Sequence, residues 1–186
     1  MASFKHSATV PNARREAPRV LLVEPGRSAM SVLARRLGEA GYRVAAAESA
    51  QAAVAELYRR PVDLVLAELA MPLMSGIELT RLIRDDSTLR DLPVILISAR
   101  SDRTGAVRAL ESGADDVVVK PFHNEVLLAR ITRQLTRARS VRELRADNAA
   151  LDARVVTRAL ELGETRAALL KSENECVRLT GIIRGA

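Results

Sequence analysis

The 186-residue chain is 48% hydrophobic and 28% charged, the profile of a globular protein and not of a disordered one. Aromatics make up 2%, with no Trp, so the core must be Leu, Val, Ile and Ala, and base-stacking platforms for single-stranded nucleic acid are disfavoured. The net charge of +6 is ordinary for an Arg-rich protein and demands no acidic partner.

In chain order, residues 1–18 read as a polar, flexible tail without the apolar run of a secretory signal. RVLLVE, from Arg19 to Glu24, predicts a strand buried on both faces. Pro25 and Gly26 follow, and Ser28 is placed to cap a helix that runs to about Ala40 and stops at Gly41. YRVAAAE predicts a second strand. A second helix spans Ala50 to Arg60 and is stopped by Pro61. Val62 to Glu68 predicts a third strand, and Gly76 to Arg84 a third helix. Leu92 to Ser98 is the most apolar strand. Asp102 to Ser112 predicts a fourth helix, closed by Gly113. Asp116 to Lys120 predicts a fifth strand. After Pro121 a helical pattern runs almost to the C-terminus.

Five alternations of strand and helix imply an α/β domain, a parallel sheet wound on both sides by helices. In such sheets the ligand crevice lies at the carboxyl ends of the strands. Glu24, Glu68, Ser98 and Lys120 end four of them. Asp63, Asp115 and Asp116 fall outside the crevice and read as solvated or capping residues. His6 and His123 are isolated and read as surface residues.

Four motifs in this order and spacing, RVLLVE, DLVLAELAMPLMSGIEL, PVILISA and GADDVVVKPF, make residues 19–138 resemble the response-regulator receiver domain of two-component signalling. The resemblance implies a flavodoxin-like sheet of order 2-1-3-4-5. It implies an aspartate at the end of the third strand that accepts a phosphoryl group from a histidine kinase; Glu68 stands there. It implies an acid pair at the end of the first strand that holds Mg2+; here the pair is Glu24 and Pro25. Ser98 matches the hydroxyl that bonds the phosphoryl group, and Lys120 the lysine that pairs with it. Val117 stands where an aromatic switch is usual.

Three departures thus fall on the chemistry. Glutamate adds one methylene and carries its carboxylate about 1.5 Å further when extended. A misplacement of about 1 Å costs on the order of 100-fold in rate. With Pro25 offering no side-chain oxygen, Glu24 and Glu68 are left to hold the metal, so weak Mg2+ binding or none is expected. Glu68 can instead reach Lys120. The expectation is an atypical receiver without enzymatic activity, locked in one shape and independent of phosphorylation.

The receiver's last helix should start near Asn124 and pack Val126, Leu127, Ile131 and Leu135 on the sheet. Residues 139–186 continue it as a predicted coiled-coil extension. One heptad column reads Val141, Asn148, Val155, Leu162, Leu169, Cys176, Ile183, and its companion includes Leu144, Leu151 and Leu179. Asn148 suits the register of a parallel homodimer. Arg158, Thr165 and Ser172 weaken the companion column, and Gly163 costs about 1 kcal/mol of helix propensity, which leaves a hairpin near Gly163 as the rival. With no effector module after it, the coil is expected to be the output, for dimerisation and docking. Cys176 is the only cysteine, so no internal disulfide and no Cys-based zinc site is expected.

Arg130, Arg133, Arg137, Arg139, Arg142 and Arg145 lie close together, but acids interleave from Glu143 onward, so nucleic acid is not the expected partner. A histidine kinase or another signalling protein is. No stretch suits a membrane span, and the cytoplasm is the expected location. The alternatives are a phosphoacceptor response regulator and a basic-coil nucleic-acid binder, the latter with steeply salt-dependent binding.

Overall fold

The computed structural model describes residues 16–99 and 103–184, with the backbone alone for Arg103 and for residues 175–184. The elements follow the predicted alternation: β1 (Arg19–Val23), α1 (Arg27–Glu39), β2 (Arg43–Ala47), α2 (Ala50–Arg59), β3 (Leu64–Glu68), α3 (Gly76–Asp85), β4 (Val94–Ser98), α4 (Arg103–Glu111), β5 (Asp116–Val119) and α5 (Asn124–Arg184). All strands are parallel, in the order β2-β1-β3-β4-β5. This is the flavodoxin-like order that the resemblance implies. Asp102, the predicted start of α4, and His6 lie outside the described residues.

Period-two alternation divides the core between the faces of the sheet. Leu21, Val65 and Leu96 pack with Leu57, Leu79 and Ile83 under α2 and α3. Leu22, Leu66 and Ile95 pack with Leu33, Leu37, Leu127 and Ile131 under α1 and the start of α5. Val126 does not join them and is 46% exposed; the buried stripe is one position further on, through Leu127.

The helix ends correct one expectation. Gly26, not Ser28, is the N-cap of α1, and no side chain of its own caps it. Ser75 caps α3 through a reciprocal bond with Glu78, and the Ser-x-x-Glu spacing is the sequence signal of this cap. Gly41 ends α1 as expected, at φ +87°.

Nor are the outlying aspartates merely solvated. Asp63 accepts the Arg19 N–H at 2.8 Å. Asp115 accepts the Val94 N–H at 2.9 Å and pairs with Arg84 at 2.7 Å. Asp116 takes Arg130 with both oxygens, at 2.6 and 2.7 Å, which ties α5 to β5. His123 is exposed.

The chain divides into two units, one ending at Ala138 and one beginning at Arg139. The second is α helix to Arg184, unbroken at Gly163, so the fold-back there does not occur. Every residue from 139 to 174 is exposed. The side chains of Cys176, Leu179 and Ile183 lie outside the described residues. Among the described residues no helix is long and apolar enough to cross a membrane.

Candidate functional site

The strand ends bring Glu24, Glu68 and Lys120 together. Leu64 to Glu68 are all buried, so the Glu68 carboxyl starts from a strand without freedom to shift. Gly76, the first residue of α3, packs against that strand end. A Cβ on Gly76 would sit 2.7 Å from the Glu68 carbonyl oxygen, and its N–H donates to the Leu69 carbonyl at 2.9 Å. Only glycine allows this approach. Between them the chain turns tightly at Leu73, whose φ is +67°.

Lys120 Nζ lies 2.5 Å from Glu68 Oε2 and 3.4 Å from Glu24 Oε2. The side chains of both acids are buried, at 11% and 8% exposure, whereas that of Lys120 is 38% exposed. The other Glu24 oxygen, Oε1, accepts the Gly26 N–H at 2.9 Å. Glu24 thereby serves the start of α1, where a negative charge is favoured. Ser98 is fully buried at the end of β4; its hydroxyl donates to the Ala99 carbonyl at 3.2 Å, and its carbonyl accepts the Lys120 N–H at 2.8 Å. Val117 packs against the α2–α3 side of the core. Pro25 is half-buried beside Glu24. The Lys120–Pro121 peptide is cis.

Burial pushes the Glu68 carboxyl above the ordinary value of 4.5; Lys120 pulls it down and Glu24 adds to the rise. Burial alone would lower the Lys120 amine, but the two carboxylates outweigh it and raise it above 10.5. Burial costs the Glu68 carboxylate more than Lys120 returns, while the partly exposed ammonium gains from both acids. The ion pair stands at neutral pH, since the amine stays cationic well beyond it and the contact is 2.5 Å.

The donor set does not suit Mg2+. The ion takes near-octahedral oxygens, usually one or two carboxylates together with several waters. Both Glu24 oxygens are engaged, Lys120 sits against Glu68, and Pro25 has no oxygen to add. Among the described residues no three His, Cys, Asp or Glu side chains are grouped to hold a metal.

Residues 20–132 match the response regulator receiver domain family, and the chain belongs to it. It is 40% identical over 119 residues to the uncharacterized transcriptional regulatory protein YvcP of Bacillus subtilis, over 64% of this chain and 49% of that protein. It is 36% identical over 118 residues to the phosphate regulon transcriptional regulatory protein PhoB of Pseudomonas aeruginosa, over 63% of this chain and 52% of that protein. Among solved structures, the receiver domain of a signal transduction histidine kinase from Syntrophus aciditrophicus superposes with a TM-score of 0.61 at 35% identity, covering 64% of this chain and 91% of that one. The chain thus spans about half the length of the curated relatives it matches. The names of those relatives give no support to the expectation that nucleic acid is not a partner.

Proposed function

We propose that this receiver domain of two-component signalling works without phosphoryl transfer, as a cytoplasmic, non-enzymatic adaptor held in one shape. The observation that carries this reading is the Glu68–Lys120 contact of 2.5 Å. Glu68 puts a permanent negative charge against the lysine that, by resemblance, would meet a transient phosphoryl group. Its carboxylate is turned to an ammonium and not to an incoming donor, and an acyl-phosphate requires in-line attack by a free carboxylate oxygen. Weak or absent Mg2+ binding belongs to the same reading, because Glu24 is committed to Gly26 and Lys120. So does signalling without an aromatic at Val117.

The partners in this reading are a histidine kinase or another signalling protein, and a second copy through the extension. Val141, Leu144, Asn148 and Leu151 would begin a parallel seam that Val155, Leu162 and Leu169 continue. The protein divides accordingly into the tail 1–18, the receiver 19–138 and the extension 139–186.

Intact-mass measurement after incubation with a small-molecule phosphodonor and Mg2+ tests the central point. No adduct is expected on the wild type. An adduct mapped to Glu68 overturns the reading. Glu68→Asp shows whether a shorter acid restores acceptance.

A further inference from the structure

The Val141–Leu144 stripe leaves three large exposed hydrophobics of the extension, Val156, Leu160 and Leu170, unexplained. A second stripe, Ala153, Val156, Leu160, Gly163, Ala167 and Leu170, follows alternating spacings of three and four residues. It lies roughly 150° around the helix from the Val141–Leu144 stripe, on the nearly opposite face. Val156, Leu160 and Leu170 are 60%, 66% and 51% exposed, too much apolar surface on one helix face to leave in water. α5 is continuous helix through this stretch, and a Cβ on Gly163 would meet nothing within 4 Å.

We propose that this second face binds the extension of another copy of the chain, antiparallel, with Leu160 opposite Val156 of the other copy and the dyad beside residue 158. The charges that border the stripe single out this arrangement. On one side run Arg145, Asp152, Arg166 and Glu173, and on the other Glu143, Thr157, Glu164 and Lys171. In an antiparallel pair each border faces its own copy. Asp152 then meets Arg166, Arg145 meets Glu173, and Glu143 meets Lys171, each twice by symmetry, and no like charges meet.

Other arrangements lose this match. A slide of one heptad in one direction sets Arg145 against Arg166 and Glu143 against Glu164. A slide in the other direction sets Asp152 against Glu173. A parallel pair on this face sets Arg166 against Lys171 and joins no opposite charges. One exposed pair contributes little, but several acting together choose direction and register. The small residues fall where the helices come closest, Gly163 opposite Ala153, which allows an interaxial distance near the short end of about 8–10 Å.

This goes beyond the parallel seam proposed above and does not rest on it. A helix with two seams can hold one copy on each. The antiparallel pair places the two Arg139 residues roughly 57 Å apart, about 38 residues of helix. A parallel pair holds them side by side.

Spin labels on Asp147→Cys, in the full chain carrying Cys176→Ser, separate the possibilities by pulsed dipolar spectroscopy. The antiparallel pair gives a distance of roughly 33 Å, about 22 residues of helix. The parallel pair gives one under about 20 Å. The longer distance alone supports this inference and removes the parallel seam; both distances support both. The shorter alone, or a monomer at all concentrations, overturns the inference. Glu143 and Lys171 border only the second stripe, so charge exchange there is a second test. Glu143→Lys at low salt should reduce the long-distance population at least about 3-fold, and adding Lys171→Glu should restore it. An unchanged population in Glu143→Lys overturns the proposed register.

Discussion

The receiver and the extension use the same apolar residues to opposite ends. In the receiver, Leu66, Leu96 and Ile97 are at most 1% exposed and the sheet is covered on both faces. In the extension, Leu144, Leu162 and Leu169 are 63%, 70% and 59% exposed. The first unit completes its own core. The second carries apolar stripes left exposed along its length, whereas most helical stability in proteins comes from packing an apolar face. In the reading proposed above, signalling shape resides in the first unit and assembly in the second, and each should be separately breakable.

The largest contrast is between two leucines. Leu96→Ala empties a fully buried position beneath α3 and should cost about 2–5 kcal/mol of receiver stability in urea unfolding. Leu160→Ala should leave that transition in place, within about 0.5 kcal/mol, because Leu160 belongs to the second unit and is 66% exposed. A matching loss in both variants would mean that the two units fold as one.

Next in size is the buried charge. Lys120→Met strands two carboxylates that are 11% and 8% exposed. Removing one partner of a fully buried pair costs about 3–5 kcal/mol; the partly exposed ammonium reduces the expectation to about 1–3 kcal/mol. Arg158→Met in the extension breaks a pair with Glu161 whose side chains are 81% and 55% exposed, and should cost at most about 0.5 kcal/mol.

The pH dependence has a definite sign. The raised Glu68 value means that the folded state holds its proton more tightly than the unfolded state does. Stability from this group is therefore present below 4.5 and falls as pH rises through the folded value. Lys120→Met should steepen that fall and Glu68→Gln should remove it. The raised Lys120 value gives the opposite end of the profile: its contribution is present below 10.5 and is lost as pH rises through the folded value. That alkaline loss should vanish in Lys120→Met. Unfolding midpoints measured across both windows check all of these.

How legible this arrangement is in the sequence depends on how local each cause is. The strands are short apolar runs ended by turn residues, so their order and their terminal residues, Glu24, Glu68, Ser98 and Lys120, can be read directly. The approach of Lys120 to Glu68 is legible only through the receiver resemblance, since 52 residues separate them. The uses of Asp63 and Asp115 are not legible, because their partners Arg19 and Val94 lie 44 and 21 residues away. The Val126 expectation fails by helical phase: one residue turns the helix by about 100°, enough to exchange a buried face for an exposed one. Gly76 reads as an ordinary helix start, and its role emerges only when α3 is laid against the end of β3. The extension has the reverse difficulty. Its helical pattern is legible, but its continuity past Gly163 is not, since a fold-back there fits the sequence as well, and its apolar residues fall on two stripes instead of one.

The smallest and sharpest comparison adds the same methyl group to a helical glycine in each unit. Gly76→Ala drives a Cβ to 2.7 Å from the Glu68 carbonyl oxygen, 3.0 Å from Leu96 Cδ2 and 3.1 Å from the Leu69 Cα. Two of these are backbone atoms of the strand end, so α3 must move, at a cost of about 1–3 kcal/mol. The movement should reach Glu68, and its carboxyl titration, followed by NMR, should shift toward the ordinary value as Glu68 becomes more exposed. Gly163→Ala meets nothing within 4 Å. It should therefore gain the propensity difference of about 0.8–1 kcal/mol and raise the helix content seen by circular dichroism, with the receiver transition unmoved. One methyl group thus destabilises where the backbone is pressed against the charged site and stabilises the helix of a single copy, where no atom of the same chain is near. Equal signs at the two positions would mean that Gly76 is not held against β3, and that the Glu68 carboxylate owes its position to something other than the packing of α3.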